Sequence, residues 1–265
     1  MPDKSIFSRA FADFASMGLR QRVHESLISE RLGSQVIEHA ATDGTAIEAR
    51  ERAAKAKLEQ AQAPGHKRGR PRKGEVVPPL EPTRLQRHLS GSVEDNLKTM
   101  PTRAMRLGLQ GQLPRQHRLL ARLKTAHHQR GRRHPLSAYL GSASMPDCQA
   151  AIIREQSAAA RTKAMLYQFK DSACDAQGIR QQSQKIGSVP IIEKRGYRPE
   201  NAVPKDPDRA RRYKAHSHAE RVNSDLKDNH GGRTLRVRGA ARAGLHLFFG
   251  LIRHARRTPV LRIVQ

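Results

Sequence analysis

The chain has 265 residues, and its 50 Lys and Arg against 24 Asp and Glu give a formal net charge of +26. Such a charge indicates a nucleic-acid partner, because each phosphate that a basic side chain neutralises releases counterions and strengthens binding. No apolar run approaches the roughly eighteen residues that a membrane span needs, and the opening residues are not typical of a secretory signal. The sequence therefore excludes a membrane protein and predicts a cytoplasmic one.

The apolar content is low for a chain of this length. Hydrophobic residues make up 37% and aromatic residues 4%, with no Trp, which predicts a thin aliphatic core and some unpacked stretches. Cys148 and Cys174 are far apart and form no CxxC pair, so neither a disulfide framework nor a zinc knuckle is predicted.

Residues 1–34 predict an N-terminal helical segment. Phe7, Phe11 and Phe14 share one helical face, and apolar residues continue this spacing after Gly18. Two short helices are expected here.

Residues 35–60 predict a strand followed by a helix. The strand is the β-prone stretch 35–40, and Asp43–Gly44 is typical of a turn. Thr45 and Glu48 form a capping-box pattern that would open a helix over 46–57. This interpretation puts Asp43 at the end of a strand.

Residues 61–82 are dense in Pro, Gly and basic residues and predict a disordered basic arm. Its Arg68-Gly69-Arg70-Pro71 resembles the core of an AT-hook, in which Arg-Gly-Arg lies in the narrow minor groove of A·T-rich DNA. A generic basic run is an equally good interpretation. Arg68 and Arg70 are candidate DNA-binding residues, and residues 83–101 then predict a helix.

Residues 102–134 predict an irregular segment. No acidic residue occurs between Asp95 and Asp147, and Arg, Leu, Gln and His follow one another without a clear period. A regular element is not expected from this pattern.

Residues 135–255 predict alternating strands and helices, with 256–265 as a tail. The strands are expected at 136–140, 164–169 and 189–192, and the helices at 149–160, 175–185, 211–227 and 240–253. Asp171 comes just after the second of these strands, separated from it by Lys170. The alternation predicts a mixed α/β core.

Three acidic residues on separate elements are candidates for metal-dependent chemistry on phosphodiesters. Asp43 and Asp171 end predicted strands, and Glu220 lies in a predicted helix with Tyr213 and Lys227 two turns to either side. Carboxylates from separate elements can hold two Mg²⁺ ions, which clamp the attacking and leaving oxygens of an in-line displacement. Each acid alone has an ordinary structural explanation as a turn, an N-cap or a solvated helix charge.

The spacing of the residues in this helix resembles a known family. Tyr213-x2-His216-x3-Glu220-x6-Lys227 is similar to the Y-x2-R-x3-E-x6-K motif of insertion-sequence DDE transposases, and the words 219–223 and 226–228 extend the similarity. The stretches 43–51 and 169–175 resemble the first and second aspartate motifs of that family.

The resemblance implies a ribonuclease-H-like mixed sheet flanked by helices, with Asp43, Asp171 and Glu220 as ligands of Mg²⁺ or Mn²⁺ and Lys227 as a further catalytic residue. It also implies DNA contacts by Tyr213 and Lys227 near the scissile phosphate. The implied partners are the double-stranded DNA of transposon ends and target, with self-association on DNA. His216 stands where the family has Arg, and a short, largely neutral imidazole predicts a weaker phosphate contact.

Two other functions are consistent with the charge. One is a non-catalytic basic DNA-binding protein or an inert transposase remnant. The other is a ribosome-associated RNA-binding protein, which leaves the transposase-like words unexplained.

The irregular segment suggests that this copy has been damaged. Family resemblance stops before residue 102 and resumes at 135, and the basic composition between them is typical of out-of-frame translation of GC-rich codons. The chain also begins close to a motif that family members carry well inside their sequence. From these features we predict a frame-shifted and truncated copy whose sheet lacks its middle, with little or no cleavage activity.

Overall fold

The computed structural model describes seven stretches, which are residues 3–50, 81–101, 105–106, 117–128, 132–142, 145–193 and 206–257. Within them the chain is a mixed α/β protein, as the alternation of strands and helices predicts. A six-stranded sheet lies at its centre, and β1, β5 and β6 form a parallel part of that sheet. The predicted basic arm, with Arg68 and Arg70, lies outside the described residues apart from its last two positions.

The sheet has the order β4-β3-β1-β5-β6, with the short β2 paired to β3. β1 is antiparallel to β3, and β3 is antiparallel to β4. The strands are β1 (Val36–Ala49), β2 (Met105–Arg106), β3 (His117–His128), β4 (Arg132–Ser142), β5 (Ala164–Lys170) and β6 (Val189–Ile192).

Helices precede, connect and follow the strands, as was expected for most of them. They are α1 (Lys4–Ser16), α2 (Leu19–Leu32), α3 (Arg84–Ser90), α4 (Val93–Lys98), α5 (Ala151–Ala159), α6 (Gln177–Lys185), α7 (Pro207–Tyr213), α8 (Ser217–Asn229) and α9 (Ala240–Arg257). Short 3-10 turns cover Asp147–Ala150, Ser172–Cys174 and Lys214–His216.

The longest strand corrects the prediction made for residues 35–60. β1 continues through Asp43 and Thr45 to Ala49, so Asp43 lies inside a strand and the start of the predicted helix is wrong. The reason is a contact with a distant part of the chain, because every residue from His39 to Ala49 pairs with β3. The hydrogen bonds of this ladder use the backbone N–H groups that a capping box would otherwise satisfy.

The interval expected to be irregular contains strands. β3 and the first residues of β4 fall within it, and β3 pairs with both β1 and β4, so the described sheet does not lack its middle. In the sequence of β3, Leu119 and Leu123 alternate with Arg118, Arg122 and Lys124, a period of two that the basic composition conceals.

Two predicted helices are each split in two. Residues 83–97 form α3 and α4, because Gly91 is extended and the Ser92 side chain accepts a hydrogen bond from the Asp95 N–H that starts a new helix. Residues 211–227 are divided by the 3-10 turn Lys214–His216.

Helices cover both faces of the sheet around β1. Neighbouring residues of a strand point to opposite faces. Asp43 accepts a hydrogen bond from Asn223 of α8, whereas Gly44 faces Asp147, in the turn that leads into α5. A side chain on Gly44 would overlap the Asp147 carboxylate, which explains a glycine here. Apolar contacts of α8 and α9 with Ile47 and Leu140 close one face.

A buried ion pair connects β5 with α5 and α6. Lys170 Nζ lies 2.5 Å from Glu155 Oε1, and neither side chain is exposed to solvent. Lys170 also donates to Ser183 Oγ at 2.9 Å, and Ser183 Oγ donates to Glu155 Oε2 at 3.1 Å. The pair therefore fixes the end of β5, immediately before Asp171.

A buried histidine makes stability depend on pH. Burial and the Arg161 charge lower the pKa of His24 from 6.5 to about 4. The unfolded chain thus binds a proton first as the pH falls, so the contribution to stability is complete above about pH 6.5 and is lost toward pH 4.

We therefore expect the free energy of unfolding to fall by about 2 kcal/mol between pH 7 and pH 5 on account of His24. Urea titrations at both pH values measure this loss, and His24→Phe should remove that part of it. An unchanged pH dependence in His24→Phe would contradict the assignment. Burial also lowers the pKa values of His39 and His88, so a smaller dependence should remain in the variant.

None of the helices in the described part of the chain combines the length and the apolar character that crossing a bilayer requires.

Candidate functional site

Three acidic residues follow one another across the carboxyl end of the parallel strands. The printed register pairs Ala41 with Phe169 and Lys170 with Ile192. Continued along the strands, it sets Asp43 beside Asp171 and Asp171 beside Glu193. Neighbouring strands are about 4.8 Å apart, so the three residues form a short row across the strand ends. This row of Asp43, Asp171 and Glu193 is called the acidic edge below.

Asp43 is half-buried, whereas Asp171 is exposed. Its Oδ1 accepts a hydrogen bond from the Gly44 N–H at 2.8 Å, and its Oδ2 accepts one from Asn223 Nδ2 at 2.8 Å. Burial raises the pKa of Asp43, Asp147 adds to the rise, and His216 and the two hydrogen bonds oppose it. The carboxylate is thus held in a fixed orientation in partly desolvated surroundings.

A buried arginine supports the backbone behind Asp43. Arg154 is 1% exposed, and its guanidinium donates to the Asp43 carbonyl at 3.0 Å and to the Asp147 carbonyl at 3.2 Å. Burial lowers the pKa of Arg154, while Asp147 and Asp43 raise it. This arginine ties α5 to the centre of β1 and supplies positive charge beneath the acidic edge.

Asp171 lies where it was predicted, directly after β5. It precedes the 3-10 turn Ser172–Cys174 and is exposed. The Cys174 thiol donates a hydrogen bond to it, and burial together with the Asp171 charge raises the pKa of Cys174. Cys148 and Cys174 are both free thiols, in agreement with the expectation of no disulfide.

Tyr213 is adjacent to the whole acidic edge. Its hydroxyl donates to the Lys170 carbonyl at 3.4 Å. Burial raises the pKa of Tyr213, and the negative charges of Glu193, Asp171, Glu220 and Asp43 raise it further, in that order. The charges of the three predicted acids, Asp43, Asp171 and Glu220, thus all contribute to the raised pKa of this one hydroxyl group.

His216 is directed toward the sheet. It is buried, its Nε2 lies 3.3 Å from the Thr42 carbonyl oxygen, and its ring stacks on Tyr213 with 5.2 Å between centroids. This arrangement anchors the turn between α7 and α8 to β1. It does not favour a direct phosphate contact by His216.

Glu220 and Lys227 share α8, two turns apart, with Glu220 exposed and Lys227 half-buried. Tyr213 ends α7 instead, so the prediction that one continuous helix carries all three residues is wrong. The 3-10 turn between the helices allows Tyr213 to pack against β5 while α8 lies over β1.

The acids do not form a closed metal site. In the stretches that the structure describes, one group of three potential metal ligands has its ligand atoms within 4.8 Å of one another. It consists of Asp225, His230 and His254. Asp43, Asp171 and Glu220 make no such group. Asp171 and Glu220 are exposed, whereas Asp43 is half-buried.

A basic cleft of about 500 Å³ lies beside the acidic edge. It is lined by His39, Arg211, Arg212, Lys214, Ala215, Ser217, His218 and Arg221. His39 and Asp43 are on the same face of β1, four residues or about 13 Å apart. Burial lowers the pKa of His39, and the Arg212 charge contributes to this fall, as expected in a positive field.

Sequence reasoning missed several residues of this region. Asn223 belongs to a word that resembles the family, three residues after Glu220, and this spacing could have indicated a contact. Arg154 and Glu155 are the two charged residues of α5 and directly follow the apolar run 151–153, and charges at such positions indicate buried partners. Glu193 immediately follows a predicted strand, as Asp171 does, and the same argument could have included it.

The sequence matches no family model, and no curated protein is significantly similar to it. The assignment of a function to this chain therefore rests on its motif spacing and on the geometry of the acidic edge.

Proposed function

We propose that this chain is a DDE transposase, which binds transposon ends, cleaves a DNA strand to free a 3′ hydroxyl and joins that hydroxyl to target DNA. The observation that carries the proposal is the register of β1 and β5, which pairs Ala41 with Phe169 and, continued by two residues, sets Asp43 beside Asp171. The helix that bears Glu220 and Lys227 packs against β1. The hydrogen bond between Asn223 and Asp43 holds this helix over the acidic edge.

The order of the strands supports the ribonuclease-H-like fold that the resemblance implies. Three antiparallel strands, β4, β3 and β1, are followed across the sheet by the parallel strands β5 and β6. In open α/β sheets, functional groups collect at the carboxyl ends of the parallel strands. Asp43 and Asp171 lie just beyond the last paired residues, Ala41 and Phe169, at the carboxyl end of the β1–β5 pairing.

The donor set fits Mg²⁺ or Mn²⁺. Asp43, Asp171 and Glu220 offer carboxylate oxygens, the hard ligands that these ions prefer. When bound, a pair of such ions would stabilise the attacking and leaving oxygens of the phosphodiester.

The residues of the chain would orient the ligands and the DNA. Gly44 and Asn223 fix the Asp43 carboxylate through hydrogen bonds. Lys227, two turns from Glu220, would place positive charge near the scissile phosphate, and Tyr213 would contact the DNA strand beside it. Arg154 keeps the backbone of Asp43 in position.

The basic cleft supports a DNA path that ends at the acidic edge. Its cations would neutralise phosphates a short distance from the proposed cleavage point, and Arg68 and Arg70 of the basic arm would add contacts in the minor groove. Self-association on DNA remains part of the proposal.

Removing two exposed cations of this cleft should reduce the salt dependence of DNA binding. For the double variant Lys214→Gln/Arg221→Gln, the slope of log K against log salt concentration is expected to fall by about 2, because two phosphate contacts are lost. Fluorescence anisotropy with duplex DNA at several salt concentrations measures the slope. Arg233→Gln, whose arginine pairs with Asp228 at 2.6 Å, is the matched control and should leave the slope unchanged. Equal slopes in all three proteins would remove the cleft from the DNA path.

A nicking assay on supercoiled DNA tests the function. The loss of activity predicted from the irregular segment assumed a sheet without its middle, whereas β3 pairs with both β1 and β4. We therefore expect Mg²⁺ or Mn²⁺ to support formation of open circles by the full chain, with none formed in the presence of EDTA. Competition between RNA and DNA of equal length at matched salt separates this function from ribosome-associated RNA binding, and preferential binding of RNA would contradict the proposal.

A non-catalytic DNA-binding protein is the second candidate. It is favoured by the separation of the three carboxylates and by the buried His216 in place of a family arginine. Tight DNA binding without any metal-dependent nicking is the result that this second function predicts.

A further inference from the structure

A second cluster of potential metal ligands lies between α8 and α9, outside the acidic edge. Asp225 Oδ2 is 3.1 Å from His230 Nε2 and 2.6 Å from His254 Nδ1. Asp225 belongs to α8, His230 is its C-cap residue and His254 lies in α9. One carboxylate oxygen and two imidazole nitrogens from three places in the chain thus meet within 4.8 Å.

The backbone around this cluster is shaped to bring the ligands together. Gly231 has a φ of 73° and turns the chain back over α9 directly after His230. A Cβ on Gly250 would lie 2.6 Å from His230 Cβ, so a glycine at this position lets His230 pack closely on α9. Asn229 Nδ2 donates to Asp225 Oδ1 at 2.7 Å, which leaves Oδ2 directed toward the two histidines.

We propose that Asp225, His230 and His254 bind a divalent transition-metal ion of the zinc class. Two imidazole nitrogens and one carboxylate oxygen are ligands typical of Zn²⁺, with water in the fourth tetrahedral position. Mg²⁺ prefers oxygen ligands alone, so this site and the acidic edge would select different ions. The Asn229 hydrogen bond supplies the outer contact that orients a ligating carboxylate.

The expected consequence of metal binding is a cross-link between two helices. The ion would join α9 to the end of α8, the helix that carries Glu220 and Lys227, and would stabilise the folded chain through its binding free energy. This inference does not depend on the proposed transposase function, because its readouts involve neither DNA nor cleavage.

Metal titration of the full chain tests the site. Competition of Zn²⁺ with a chromophoric chelator should give one tight equivalent, and Co²⁺ should give the visible absorption of a tetrahedral complex. Asp225→Asn and His254→Gln should each lose more than about a hundredfold in Zn²⁺ affinity, which is the upper end of what the loss of an outer-shell partner alone costs. Thermal melting should show a Zn²⁺-dependent rise in Tm in the parent chain but not in Asp225→Asn or His254→Gln.

His246→Gln is the matched control, because His246 lies on the same face of α9 two turns earlier and outside the cluster. It should keep both the tight equivalent and the Co²⁺ absorption. His254→Cys guards against loss of folding, since a thiolate ligand should retain the ion and add a sulfur-to-cobalt charge-transfer band.

Two results would overturn the proposal. One is the absence of a tight equivalent in the folded parent chain. The other is Zn²⁺ binding in His254→Gln and Asp225→Asn that equals binding in the parent, which would assign the equivalent to other histidines and leave this cluster a hydrogen-bonded network.

Discussion

Replacing Asp43 by Asn is expected to abolish metal-dependent nicking by this chain while DNA affinity stays within about twofold. The loss should be at least about a thousandfold, because a clamp of two metal ions contributes several kcal/mol and each 1.4 kcal/mol is a factor of ten. Asp171→Asn and Glu220→Gln should behave in the same way. DNA affinity should persist because none of these changes removes a positive charge.

Asp175→Asn is the control for these variants. Asp175 lies four residues after Asp171 but pairs with Arg180 at 2.6 Å, away from the proposed ligands. It should nick supercoiled DNA as fast as the parent chain. Parental nicking rates in Asp43→Asn would exclude Asp43 from the chemistry, and the same criterion applies separately to Asp171 and Glu220.

Replacing Lys170 by Met is expected to reduce the free energy of unfolding by about 3 to 5 kcal/mol. The change leaves the Glu155 carboxylate buried without its cation, and the Ser183 hydroxyl cannot replace a full charge. Urea unfolding followed by circular dichroism measures the loss. Because Lys170 immediately precedes Asp171, nicking should also decline where the variant remains folded.

The exposed pair of Lys98 with Asp95 at 3.0 Å provides the comparison. Lys98→Met should leave the unfolding curve nearly unchanged, since both side chains of this pair lie in water. The double variant Glu155→Leu/Lys170→Met should regain much of the loss, because it buries no unpaired charge. A cost below 1 kcal/mol for Lys170→Met alone would show that the buried pair is not a determinant of stability.

The sequence predicted best those elements whose apolar pattern is complete within a few residues. The run at 164–169 is mostly apolar with two aromatic residues, the run at 189–192 has three β-branched residues, and they correspond to β5 and β6. The aspartate at position 171 could therefore be assigned to the end of a strand.

Elements that depend on distant partners were harder to predict. Thr45 and Glu48 carry a local helix signal, yet pairing with β3 keeps them in β1. In the same way, the basic residues of β3 obscure its alternation, and only the neighbouring strands define it as part of the sheet.

The sequence predicted the acidic residues of the candidate site but not the residues that hydrogen-bond to them. Asp43, Asp171 and Glu220 follow from motif spacing, whereas the contacts of Asn223 and Arg154 with Asp43 arise from packing between α8, α5 and β1. No local pattern specifies which helix will cover a given strand, so these two residues could not be derived from spacing alone.

The central position of β1 has a consequence for how the chain folds. Its antiparallel partner includes His127 opposite His39, and its parallel partner includes Phe169 opposite Ala41. During synthesis from the N-terminus, β1 leaves the ribosome long before either partner exists. One of its edges stays exposed until β3 has been made, and the other until β5 has been made. A topology with such distant pairing folds slowly, because loop closure precedes any gain from contact. Nascent chains that stop before Ala164 would therefore be the species most prone to aggregate.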